Sequence, residues 1–190
     1  MPRKPRQISP SGVYHFMVRG VNKKKIFHSK NDCEAYLGFV KQYSEMYDIQ
    51  VYHYCIMENH AHFILRATEL RLLSKLAHSV QRRYAYYYCK RYAWSEQVFR
   101  RNFASIPIDT DSYLLECGRY IERNPVDAKI VSEVGDYLYS SYLFYAEGKP
   151  NALLTESPAY LALSDRRSHR QTIYRAYVTI EREQIATIIS

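Results

Sequence analysis

The chain has 190 residues, 47% of them hydrophobic and 24% charged, with a formal net charge of +8. These values suit one globular domain with its own core, and no apolar run approaches the roughly 20 residues of a membrane span. The basic N-terminal residues lead into no apolar segment, and Cys33, Cys55, Cys89 and Cys117 form no CxxC pair; a secretory signal, a zinc ribbon and a disulfide framework are disfavoured, and a cytoplasmic protein is expected.

Val13 to Arg19 alternate and predict a first strand, after which VNKKKIFHSK reads as a basic loop. Tyr36, Phe39, Val40, Tyr43 and Tyr47 fall at helical spacing, with Asn31 or Asp32 as the expected cap. IQVYHYCIM is rich in β-branched and aromatic residues and predicts a second strand. ENHA turns the chain and HFILRA returns as a third, giving a hairpin. A long helix is expected from Glu69 to about Tyr92, and Phe99 to Ile106 read as an edge strand.

The next helix begins near Asp109 or Asp111, whose charge suits the N-terminal end of a helix, and Pro125 predicts its end at about Asn124. SSYLFYAEGKPNALL reads as loop, and one or two helices are expected from about Ser157. This order predicts an α+β fold, a ferredoxin-like antiparallel sheet covered by helices. The sheet domain is expected over residues 1–150, with a helical C-terminal extension over 151–190.

His60 and His62 flank one alanine. In a strand both imidazoles point the same way and can approach one ion. Tyr120 and Asn124 lie four apart on one helix face. An asparagine amide oxygen is a neutral donor that can join two imidazoles around Mg²⁺ or Mn²⁺, with the tyrosine hydroxyl about one helical turn away. Tyrosine, with an ordinary pKa near 10, is a poor nucleophile until something favours its phenolate; a divalent ion would also polarise a phosphoryl oxygen. Spacing allows this site without establishing it, since paired histidines also serve as core residues and tyrosines as packing.

Other residues carry two readings. Glu58 is a further ligand, a partner for a histidine or a solvated turn residue. His15 and His53 read as structural strand residues, either of which could neighbour the site. Tyr113, two turns before Tyr120, is a second candidate nucleophile. The charge and the 20 tyrosines suit a polyanionic partner with unpaired bases. Arg82, Arg83, Lys90 and Arg91, interleaved with tyrosines, are candidate nucleic-acid contacts together with Arg100 and Arg101, or else solvated helix faces.

The blocks MVRGVNKKKIF, MENHAHFIL, QVFRRNFASIPIDTDSYLLECGRYIERNPVDAKIV and SSYLFYAEG span most of residues 12–150. They resemble the single-tyrosine HUH transposases of insertion sequences, and most of all the REP-associated tyrosine transposases. The resemblance implies that His60, His62 and Asn124 hold a divalent ion, Mg or Mn, and that Tyr120 is the nucleophile. It implies a DNA transposase that cleaves and rejoins single-stranded DNA at hairpin-containing sites through a 5′-phosphotyrosine, acting as a monomer or homodimer. Two positions depart from the family pattern: Glu58 stands where proline is common, and Ala61 where a bulky apolar residue is. Ala61 points away from the metal side, so a packing adjustment is expected there. Two other readings compete. A histidine-triad hydrolase would need a third histidine where Ile64 stands. A domesticated, transposase-derived protein would bind DNA hairpins without cleaving them.

Overall fold

The computed structural model describes residues 7–101 and 103–180. Strands β1 (Val13–Arg19), β2 (Gln50–Met57), β3 (His60–Arg66) and β4 (Ala104–Ile108) form one antiparallel sheet in the order β2-β3-β1-β4. This is the ferredoxin-like order expected from the sequence. A two-residue turn, Glu58 and Asn59, joins β2 to β3 and leaves Met57 opposite His60. His60 is therefore a strand residue, where ENHA had suggested a turn.

The two faces of the sheet bury different sets. Phe16, Val18, Tyr54, Ile56, Ala61 and Phe63 lie on one face, under helices α1 (Lys30–Met46) and α2 (Leu70–Tyr92), which contribute Tyr36, Val40, Leu76, Val80 and Tyr84. Val13, Cys55, Met57 and Ile64 lie on the other, beneath helix α3 (Asp111–Asp127) with Leu114, Cys117 and Ile121. Strand alternation puts His15, Arg19, His53, His60 and His62 on this second face. Ala61 points into the opposite core, as its parity requires.

Much of the tyrosine content is core. Tyr84 donates to the Ile26 carbonyl at 2.6 Å, Tyr145 to that of Tyr52 at 2.7 Å and Tyr160 to that of Tyr145 at 2.9 Å. A buried hydroxyl without an acceptor would be costly, and these have one.

Helix ends differ from expectation where tertiary contacts decide them. The cap of α1 is Ser29, and Asp32 accepts the backbone N–H groups of His28 and Ser29 together with the hydroxyls of Tyr87 and Tyr92. Helix α3 starts at Asp111, one of the two expected positions, with Thr110 Oγ1 accepting from the Tyr113 N–H at 3.2 Å. It then runs through Pro125 to Asp127, past the expected stop. Proline offers no N–H to the Ile121 carbonyl, and the side-chain amide of Asn124 supplies one at 3.2 Å. Part of the segment read as loop forms helix α4 (Tyr142–Glu147), and α5 (Pro158–Leu161) and α6 (Arg167–Thr179) follow. These three helices share a core of Tyr142, Tyr145, Tyr160, Tyr174 and Val178. Among the described residues no helix is long and apolar enough to cross a membrane.

Candidate active site

His60 and His62 leave β3 on the α3 side with ring centroids 4.9 Å apart. Strand β1 adds a third imidazole. Register sets Met17 opposite His62 and His15 opposite Ile64, so His15 reaches His62 diagonally, and its Nε2 lies 2.8 Å from His62 Nδ1. On the other side His60 Nδ1 donates to Asn59 Oδ1 at 2.5 Å. With both Nδ1 atoms engaged, Nε2 of His60 and of His62 are the atoms left to hold a metal.

Burial lowers the pKa of His15 to about 4, and burial with the nearby charge of Arg19 lowers that of His60 to about 4. For His62 burial, then its imidazole neighbours and Arg19, bring the value to about 2. All three rings are neutral at neutral pH, the form in which imidazole binds a metal.

Tyr120 stands over this group. Its ring centroid lies 6.2 Å from that of His15 and 6.0 Å from that of His62, in both cases edge to face, and the residue is 50% exposed. One turn on, the Asn124 amide nitrogen is committed to the carbonyls of Tyr120 (2.7 Å) and Ile121 (3.2 Å). That commitment fixes the rotamer and leaves Oδ1 as the atom able to ligate. Among the described residues no group of three or more His, Cys, Asp or Glu is placed to hold a metal. The structure brings His60 and His62 together, and the Asn124 amide oxygen, on the helix over them, is the third donor that the sequence suggests. Such a set fits a divalent ion that accepts both nitrogen and neutral oxygen.

The helix carrying Tyr120 is fixed from two directions. Toward the sheet, Gly118 sits so close to His53 that an added Cβ would lie 2.9 Å from the ring. Buried Glu122 accepts from His53 Nδ1 at 3.0 Å, from Ser141 Oγ, and from the Tyr174 hydroxyl at 2.8 Å. Toward the C-terminal helices, Arg119 and Arg123 donate to the last carbonyls of α6 and just beyond it, at Tyr177, Val178 and Ile180. These arginines satisfy carbonyls that lack helical partners and oppose the negative end of the helix dipole.

The remaining candidates fall in several places. Arg100 and Arg101 are exposed and adjoin the His60 end of β1, where the Arg100 N–H donates to the Arg19 carbonyl at 2.7 Å. Arg82 and Arg83 are on α2, in the helical layer behind the sheet. With Tyr43, His78 and Tyr86 they line a concavity of about 460 Å³. Lys90 is exposed on the same helix, and Arg91 lies 3.4 Å from the buried carboxylate of Asp32. Glu58 is exposed and pairs with Lys25 at 2.7 Å, while its carbonyl accepts the N–H groups of Ile26 and Phe27. It anchors the loop after β1. Tyr113 is exposed in the first turn of α3. From the sequence His15 was a structural strand residue or a neighbour of the site; the structure makes it the neighbour, on the face that the alternation of VYHFMVR shares with HAH.

The family model described as "Transposase IS200 like" matches residues 9–124, which include His15, His60, His62, Tyr120 and Asn124. Among solved structures, a REP-associated tyrosine transposase bound to a REP hairpin has the same fold. Its TM-score is 0.67 at 16% identity, covering 83% of this chain and 93% of that one. A protein described as a transposase from Deinococcus radiodurans R1 aligns with a TM-score of 0.42 at 12% identity, over 64% of this chain and 97% of that one. No curated protein matches the chain. By the family match over more than half its length, with the fold to go with it, the chain belongs to the IS200-like transposases.

Proposed function

We propose that the protein cuts and rejoins single-stranded DNA at hairpin-containing sites, with Tyr120 as the nucleophile and His60, His62 and Asn124 as the holders of a divalent ion. One observation carries the reading: exposed Tyr120 packs edge-on against His15 and His62, on a helix anchored from both sides. The hairpin bound by the structural neighbour supports the choice of DNA partner.

In the proposed step Tyr120 Oη forms a bond to phosphorus as the bond from phosphorus to the 3′ oxygen breaks. The phenolic proton is lost and the leaving 3′ oxygen takes one up. The products are a 5′-phosphotyrosine and a free 3′-OH. One phosphodiester linkage replaces another, so the reverse attack by a 3′-OH rejoins a strand without ATP. When bound, the ion supplies Lewis-acid stabilisation of phosphoryl charge. The two imidazoles tilt the preference toward Mn²⁺, since Mg²⁺ favours oxygen ligands alone. The chain's own residues do the rest: Asn59 and His15 orient the ligand histidines, Asn124 is oriented by its helix, and α3 holds Tyr120 in place. Exposed Arg100 and Arg101 extend positive charge along the rim for the strand backbone.

Mass spectrometry tests the assignment. After incubation of the full chain with hairpin-bearing single-stranded DNA and Mn²⁺, protease and nuclease digestion should leave a nucleotide phosphate on the peptide containing Tyr120. A modified peptide containing Tyr113 would move the nucleophile. Cleaved DNA with no modified peptide would indicate hydrolysis, and hairpin binding without cleavage would indicate a binding protein.

A further inference from the structure

The site contains a cation that no described residue neutralises. Arg19 ends β1 opposite His60, so its side chain leaves the sheet on the face that carries His15, His60 and His62. Its Nε is buried and has no hydrogen-bond partner among the described residues. Among them no carboxylate lies within ion-pair distance of its guanidinium either. Arg119 and Arg123, which are buried and half-buried, find acceptors in carbonyls near the end of α6.

A guanidinium cannot shed its charge by losing a proton. Placed beside His60 and His62, Arg19 also opposes any cation that those residues hold. In the protein alone this placement is unfavourable twice over, once for the unpaired N–H and once for the charge. A phosphodiester seated in the site removes both costs. Its non-bridging oxygens accept the guanidinium N–H groups, and its charge lies between the two cations. Arg19 is also held ready for such a ligand. The Arg100 N–H fixes its carbonyl at 2.7 Å, and the neighbouring Gly20 bridges to Phe99 in a turn where an added Cβ would collide with the Lys24 carbonyl.

We infer that Arg19 binds the non-bridging oxygens of the scissile phosphate and stabilises the charge that gathers on them as Tyr120 attacks. The inference rests on the transesterification proposed above. Bond making and breaking are unchanged by it: Tyr120 Oη bonds to phosphorus, the 3′ oxygen departs and takes up a proton, and Arg19 keeps its own protons throughout.

The test is Arg19→Gln in the full chain, with Arg19→Lys beside it. Four quantities are compared with the parent protein: folded stability, Mn²⁺ affinity, salt dependence of binding to a short single-stranded oligonucleotide containing the cleavage site, and adduct formation at saturating DNA. For Arg19→Gln, stability and Mn²⁺ affinity should be unchanged or higher, because an unpaired, repelling cation has gone. The slope of log affinity against log salt should fall by about 0.7, the value for one phosphate contact on a single strand. Adduct formation should slow by about 100-fold or more, the loss usual for removal of one donor to a developing oxyanion. Arg19→Lys should restore the salt slope but only part of the rate, since lysine lacks the paired N–H groups.

An unchanged slope with an unchanged rate would overturn the inference. So would a loss of stability with a rate that merely follows the folded fraction, which would make Arg19 structural. If the parent protein forms no adduct at all, the transesterification reading fails separately. The salt slope then decides whether Arg19 contacts a phosphate.

Discussion

His15 Nε2 lies 2.8 Å from His62 Nδ1, so a residue of the first strand orients a candidate ligand on the third. For His62 to hold a metal through Nε2, its ring proton must sit on Nδ1 and be donated to His15. Removing such an outer partner usually costs 10–100-fold in metal affinity. We expect His15→Ala to weaken Mn²⁺ binding by about that factor, read by calorimetry, and His15→Gln to recover part of it through its amide oxygen. Equal affinities in all three proteins would show that His15 does not orient His62.

The same three imidazoles make metal-free stability depend on pH. Their folded values, about 4 for His15 and His60 and about 2 for His62, lie below the ordinary 6.5. As pH falls below 6.5 the unfolded chain takes up protons that the folded chain refuses, so unfolding becomes easier. Stability should therefore rise with pH from about 4 to about 7 and then level off. Urea midpoints of the chelator-treated protein across this range measure it, and His62→Gln should flatten the curve. A midpoint that does not move between those pH values contradicts the reading.

Glu122, two residues from Tyr120, ties helix α3 to the C-terminal helices through Tyr174. Burial, reinforced by Glu122, raises the Tyr174 pKa well above its usual value and keeps the hydroxyl a donor. Tyr174→Phe leaves one buried carboxylate oxygen unpaired. It should lower unfolding free energy by about 1–3 kcal/mol in urea titrations. Adduct formation should slow more than hairpin binding weakens, because a displacement of about an ångström at a reacting atom costs far more in rate than in affinity. Parallel losses in both would place Glu122 in stability alone.

A double substitution separates the observed hydrogen bond of Asn124 from its proposed role as a metal ligand. Asn124→Ala removes the donor to the Ile121 carbonyl, which Pro125 leaves unserved, and should cost about 1 kcal/mol of stability. In a Pro125→Ala background the backbone N–H serves that carbonyl, and the cost should shrink. Loss of metal-dependent cleavage should persist in both backgrounds, because the oxygen proposed as a ligand is absent in both. Recovery of cleavage along with stability would remove Asn124 from the ligand set.

Features set by local pattern were legible in the sequence. Alternation in VYHFMVR and in the hairpin fixed the central strands and put His60 and His62 on one face, while helical spacing paired Tyr120 with Asn124. Features set by distant partners were not. The pairing of His15 with His62 depends on strand register across 47 residues. Helix α3 continues past Pro125 because a side chain replaces the missing N–H, which no rule for the proline dipeptide contains. Arg91 reads as a free cation until the fold brings buried Asp32 to 3.4 Å from it. Arg19 had the opposite fate: in the sequence it is one basic residue among many, and it is set apart by its place on the histidine face with a buried Nε that finds no partner among the described residues.

The central claim is that Tyr120 becomes joined to DNA. End-labelled single-stranded DNA carrying the hairpins that flank the gene, incubated with the full chain and Mn²⁺ and run on a denaturing gel, measures this directly. We expect a band shifted by the mass of the protein that survives denaturation, is lost in Tyr120→Phe, and is lost in His60→Ala or His62→Ala. A shifted band that persists in Tyr120→Phe, or cleavage with no shifted band, would contradict it.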